Sequence, residues 1–223
     1  MFGPKMELEF DQGKGGGVIS IQLSPPNDEK AAAEIFTGWL NDNRVRLFLT
    51  SPFPCILSSE EEWIRKSGND ESKVNWSIYQ GGTLLGNADF HKINLKDRRA
   101  EIGLMIGDKE SWGKGIAPAA SAIILDYAFN NLVAGGLHKV IARVMVGNER
   151  SQKTLAKIGF QEVGTHKENH WFQGRWFGEW VGEILQADWR IKKDEIMKTL
   201  GIIRFNLYPG CEDLGFGEEV ITS

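Results

Sequence analysis

The chain has few cysteines, few histidines, no long apolar run and no excess of basic residues. Each scarcity removes a class of function. Cys55 and Cys211 stand far apart without metal-type spacing, and only four histidines are present, so no zinc cluster assembles from this sequence. Two lone cysteines fit a reducing compartment better than a disulfide framework. The stretch Met1 to Lys14 is polar and acidic and lacks the apolar centre of a secretion signal. No apolar run approaches the roughly 20 residues that a membrane helix needs. The formal net charge of −4 leaves no electrostatic footprint for nucleic acid. These absences predict a cytoplasmic protein with no metal, no membrane and no nucleic-acid partner.

What remains is ordinary globular composition, with 41% hydrophobic and 25% charged residues over 223 positions. That length suits one sizeable domain, or one domain plus a small appendage. Residues 1–17 read as a flexible N-terminal segment ending in the Gly-rich run at Gly13–Gly17. Residues 18–188 read as the main domain, and 189–223 as a C-terminal extension. Val18 to Leu23 predicts a strand. Asn27 is placed to cap a helix over Asp28 to Asn41, and Thr50 to Pro54 predicts a loop. Ser59 with Glu62 has the spacing of a capping box. Asn75–Tyr79 and Thr83–His91, joined by Gly81-Gly82, predict a hairpin. Arg99–Ile106 is a further strand, Ile116–Phe129 the clearest helix, and Lys139–Val146 a buried strand. Glu149–Ile158 reads as a short helix, and Phe160–Lys167 with Trp176–Leu185 as a last hairpin. Asp188 is placed to cap a helix running to Leu200. The element order predicts an α/β (α+β) fold, a mixed sheet with helices on its faces.

One stretch carries chemistry. Trp112-Gly113-Lys114-Gly115-Ile116-Ala117-Pro118 lies between a predicted strand and a strong helix. Glycines there let successive amides face one point, and a helix N-terminus adds its positive end, which together suit an anionic pyrophosphate. Pro118 falls in the first helical turn, where a missing N–H costs little. The spacing is neither that of a P-loop nor of a Rossmann fingerprint. Further along come Asn148, Ser151, Lys157, Gly159 and Phe160.

Taken together these residues resemble the GNAT acetyltransferases, most closely the RimJ/RimL-type branch, which acetylates protein N-termini and small amines. The family's pyrophosphate motif, Gln/Arg-x-x-Gly-x-Gly/Ala, falls on Trp112, Gly115 and Ala117. Trp112 departs from Gln/Arg, which removes a polar contact and leaves the amide cradle. Asn-x-x-Ser and Lys-x-Gly-Phe fall on Asn148, Ser151, Lys157, Gly159 and Phe160. The resemblance implies a central sheet of six to seven strands with one splayed pair and helices on both faces. It implies acetyl-CoA as cofactor, coenzyme A as product, and a small-molecule or peptide amine as acceptor, and it leaves a homodimer open. The pantetheine arm is expected along Gly103, Leu104, Met105 and Ile106, with Trp112, Gly113, Lys114, Gly115, Ile116 and Ala117 around the pyrophosphate. Asn148 would bond the arm from the other side, and it reads equally well as a helix N-cap.

Acetyl transfer to an amine needs a proton acceptor. The branch resemblance points to Glu101, with Asp89, Glu179 and Glu183 as weaker candidates. Many family members carry a tyrosine acid four residues after the position of Ser151. Leu155 stands there, so Ser151 remains as the group beside the leaving sulfur. Trp171, Phe172, Trp176, Phe177 and Trp180 alternate as a hairpin core would, and in the family that hairpin and the Pro52–Pro54 loop border the acceptor site. Nothing in the sequence separates His91, His166 and His170 from ordinary surface histidines. The rival to an enzyme is a non-catalytic acyl-CoA-binding module, which the missing tyrosine allows.

Overall fold

Period-two burial builds the sheet from its first strand. The computed structural model describes residues 1–13, 15–49, 53–209 and 218–221, so Cys211, Pro52 and part of the C-terminal extension lie outside the described residues. Met6, Leu8 and Phe10 are buried on β1 (Met6–Asp11), with Glu7 and Glu9 between them facing outward. β1 pairs antiparallel with β2 (Val18–Ser24) and, on its other side, with β9 (Ile202–Asn206). The segment 1–17, expected to be flexible, therefore contains a core strand. Its acidic alternate residues obscure the apolar period that buries it.

The chain continues through α1 (Glu29–Asn41), α2 (Asn43–Arg46), α3 (Leu57–Ser67), β3 (Val74–Gln80), β4 (Thr83–Asn94) and β5 (Arg99–Ile106). Then follow α4 (Ile116–Asn130), β6 (Lys139–Met145), α5 (Glu149–Lys157), β7 (Gln161–Phe172), β8 (Arg175–Leu185), α6 (Gln186–Thr199), β9 and β10 (Glu219–Val220). Among the described residues these strands form one ten-stranded sheet, ordered β10-β9-β1-β2-β3-β4-β5-β6-β8-β7. That exceeds the six to seven expected, because both ends of the chain add strands beyond β2. β5 and β6 are the parallel pair, joined across α4, and the other recorded strand pairings are antiparallel.

Alternate side chains feed two cores. Trp76, Ala88, Phe90, Ala100, Ile102, Val140 and Val144 pack with α4 on one face. Tyr79, Leu84 and Met105 pack with Ala32, Phe36 and Ile64 of α1 and α3 on the other. α4 is buried almost all round because α6 closes over it. Trp189 donates from Nε1 to Asp126 at 3.0 Å and Lys193 pairs with the same carboxylate at 3.1 Å, so the stretch after residue 188 docks into the core.

Two caps differ from expectation. Asp28, not Asn27, caps α1, its carboxylate accepting from the Ala31 amide at 3.0 Å. α3 begins at Leu57, so Ser59 lies inside it and no capping box forms. Glu60 is instead buried beside the Cys55 thiol, 3.4 Å away. Asp188 sits in the first turn of α6 and Leu185 holds the cap position.

Candidate functional site

β5 and β6 pair only at Arg99–Lys139, Ala100–Val140 and Glu101–Ile141. Both strands then run on, β5 held by β4 as far as Ile106 and β6 held by β8 as far as Met145. The facing edges of Ile102–Ile106 and Ala142–Met145 thus have no partner strand among the described residues. Backbone polar groups require partners, so this fork is shaped for an extended polar chain lying as an added strand.

The loop beyond the fork completes the slot. Gly113 and Gly115 both hold φ of 82°, in the left-handed region that disfavours other residues. A methyl on Gly113 would meet nothing within 4 Å, so conformation and not crowding demands glycine there. Gly115 is the N-cap of α4, and the first bond into the helix runs from Ala119 to Gly115 at 3.2 Å. The amides of Ile116 and Ala117 precede that bond and sit at the positive end of a fifteen-residue helix. The Ile116 side chain is buried in the core, so only its backbone faces the loop. Trp112 donates its indole N–H to the Ile106 carbonyl at 2.7 Å, and the Arg150 guanidinium lies 5.3 Å from its ring centroid. One indole therefore ties the tip of β5 to the start of α5.

On the β6 side, Asn148 caps α5 by accepting from the Ser151 amide at 3.2 Å. Leu155, where the family's acid stands, is buried in the core. Lys109 pairs with Asp42, and Trp39 packs against Gly107, so α1 and α2 reach the end of β5. Phe48 lies 3.7 Å from where a Gly147 methyl would be, at the end of β6, so this helical segment also roofs the fork.

Below that roof, side chains on five strands join. The Glu101 carboxylate accepts from Lys92 at 2.9 Å and from Arg143 at 3.1 Å. Arg143 also donates to Glu179 at 2.8 Å, and Glu179 meets His170 at 2.9 Å. His91 lies 2.6 Å from Asp89 through Nδ1 and 3.5 Å from Glu101 through Nε2. Burial pushes the Glu101 carboxyl up, but the bonds and charges of Lys92 and Arg143 outweigh it and hold it below its ordinary value. The bond to Asp89 raises the His91 imidazole, against the effect of burial.

Of the residues singled out in the sequence, Leu104, Met105 and Ile106 lie on the open edge of β5, and Trp112 to Ala117 form the adjoining loop and helix start. Asn148 and Ser151 stand at the start of α5, past the end of β6, and Glu101 sits at the last paired position. The aromatic hairpin does not form a core as expected. Trp180 is buried, but Trp171 and Trp176 are exposed at the hairpin tip, their rings 5.3 Å apart. Arg143, Lys92 and the Asp89–Gly103 contact escaped sequence reasoning. The one available signal was Gly103 itself, a glycine inside a strand.

Residues 20–161 match the family model described as an acetyltransferase (GNAT) domain, and the chain belongs to that family. It is an acetyl-CoA-dependent N-acetyltransferase that moves an acetyl group to an amine. Among its relatives is a Bacillus subtilis (strain 168) protein provisionally named a ribosomal N-acetyltransferase, YdaF, 30% identical over 78% of this chain and 95% of its own length. A spermidine N(1)-acetyltransferase of Escherichia coli (strain K12) is 26% identical over 61% of this chain and 70% of its own. The same fold appears in spermidine N-acetyltransferase from Vibrio cholerae, solved with CoA and spermine, with a TM-score of 0.69 and 23% identity over 76% of this chain and 98% of that one. No helix among the described residues is long and apolar enough to cross a membrane.

Proposed function

We propose that this enzyme belongs to the RimJ/RimL-type branch and that its acceptor is the N-terminal amine of a peptide. The observation that carries the cofactor placement is the fork, which opens past Glu101 in line with the left-handed Gly113 and Gly115. In this reading the pantetheine arm pairs with backbone of Leu104, Met105 and Ile106. The pyrophosphate rests on the amides of Gly113, Lys114, Gly115, Ile116 and Ala117. Trp112 fixes the loop, Asn148 meets the arm from β6, and Ser151 lies beside the leaving sulfur. Glu101 acts through Arg143, which it helps hold against Glu179. Residues 18–188 form the catalytic unit, working in the cytoplasm, with a homodimer as its assembly.

Charge on the acceptor face favours a peptide over a polyamine. Glu101 and Glu179 already share Arg143, and Lys92 and His170 complete their pairing. A polycation would find little uncompensated negative charge there, whereas a single N-terminal ammonium needs one carboxylate. The test is release of free thiol from acetyl-CoA with ribosomal-protein N-terminal hexapeptides and with spermidine. Faster turnover of a hexapeptide is expected. Turnover of spermidine alone would overturn the peptide assignment. If coenzyme A binds while no amine raises thiol release, the chain is the acyl-CoA-binding module instead.

A further inference from the structure

Resting on the acetyltransferase reading, we infer that Asp89 is the carboxylate that receives the acceptor amine and takes its proton, and that Gly103 exists to let it reach the fork. Asp89 on β4 is the register partner of Gly103 on β5, two positions past the last β5–β6 pair. A methyl on Gly103 would collide with Asp89 Oδ2, so the carboxylate lies directly over the β5 backbone where the strands have parted. Its side chain is 22% exposed, so a substrate can reach it.

The other carboxylates of this face are poorly placed or occupied. Both oxygens of Glu101 are taken by cations, and both oxygens of Glu179 by Arg143 and His170. Glu183 is the register partner of Ile141, on the closed side of the fork, and pairs with Lys139. Asp89 uses Oδ1 for His91 and has no recorded bond at Oδ2 among the described residues. His91 meets Asp89 through Nδ1 and faces Glu101 through Nε2, so a proton on Nδ1 aims the Asp89 carboxylate. The groups around Asp89 are Asn75 of β3 across the register, His91 on its own strand, and Lys92, Glu101 and Arg143 beyond.

The step balances with nothing added. The amine nitrogen bonds to the thioester carbonyl carbon, the C–S bond breaks, and coenzyme A leaves as thiolate. The proton lost from nitrogen passes to Asp89 Oδ2 and then to solvent.

The test compares wild type with Asp89→Asn, Gly103→Ala and Glu101→Gln, using acetyl-CoA with a ribosomal-protein N-terminal hexapeptide and with spermidine. Asp89→Asn is expected to lower kcat by about 100-fold, within the range for a positioned proton acceptor, with coenzyme A affinity unchanged. The loss should shrink as pH rises and the amine deprotonates unaided. Gly103→Ala keeps the carboxyl but displaces it, and should lower kcat. A coenzyme A titration checks that each variant is folded. Asp89→Asn turnover near wild type overturns the assignment, as does a loss that is the same at every pH. A larger loss in Glu101→Gln than in Asp89→Asn returns the role to Glu101. Wild-type turnover of neither amine instead overturns the acceptor reading on which this rests.

Discussion

The two halves of the site are built from different materials. The proposed cofactor half is backbone: two left-handed glycines, the first amides of α4 and the edge of β5 beyond its last pair with β6. The proposed acceptor half is side chain: Asp89, His91, Glu101, Arg143, Glu179 and His170, drawn from five strands. Backbone donors are fixed by the fold and carry no titration, so they suit a cosubstrate that never varies. Side-chain charges can be exchanged strand by strand, so they suit the partner that differs between relatives.

If this division holds, damage to one half should spare the other. The largest effect is expected from Gly115→Glu. Any side chain there meets the left-handed penalty of about 1–2 kcal/mol, and the new carboxylate repels pyrophosphate. The coenzyme A Kd should rise about 100-fold, or ~2.8 kcal/mol, by isothermal titration calorimetry. An unchanged Kd would move the pyrophosphate elsewhere.

Arg143→Ala strikes the acceptor half. It leaves Glu101 and Glu179 without their shared cation, their side chains 12% and 10% exposed. Because Arg143 itself is partly solvated, the cost falls below that of a fully buried pair, to about 1–3 kcal/mol in urea unfolding. Coenzyme A affinity should hold. A collapse of that affinity in a stable variant would show that the halves are one unit.

Trp112→Phe probes the joint between them. It removes the indole bond to Ile106 and keeps a ring for Arg150, so a stability loss of about 1 kcal/mol is expected. No loss would mean that the indole does not hold β5 to the loop.

The smallest effect concerns pH. His91 is held above its ordinary value, so its stabilisation is complete below about pH 6.5 and fades as pH rises through the raised folded value. The Tm gap between wild type and His91→Gln should therefore be widest near pH 6 and close at alkaline pH. A gap that stays constant would mean that the imidazole is not charged in the fold.

Much of the backbone half was legible in the sequence. Glycine spacing before a strong helix is a local pattern, and the strand Arg99–Ile106 and the helix at Ile116 emerge where the residues predict them. Asn148 was legible as a cap for the same reason. Arg143 carried no such mark, since an arginine in a strand reads as a solvated face. Only the β5–β6–β8 alignment sets it between Glu101 and Glu179. Trp171 and Trp176 misled in the opposite direction. Alternation says which residues share a face but not whether anything covers that face.

The sequence by itself therefore determined the local elements, the left-handed turn and the helix start, because short-range sterics and hydrogen bonding decide those. Tertiary structure alone decided where β5 leaves β6, which carboxylates are silenced by cations, and that Asp89 lies over Gly103. Those depend on register between strands far apart in the chain, and a shift of one residue would send each side chain to the opposite face.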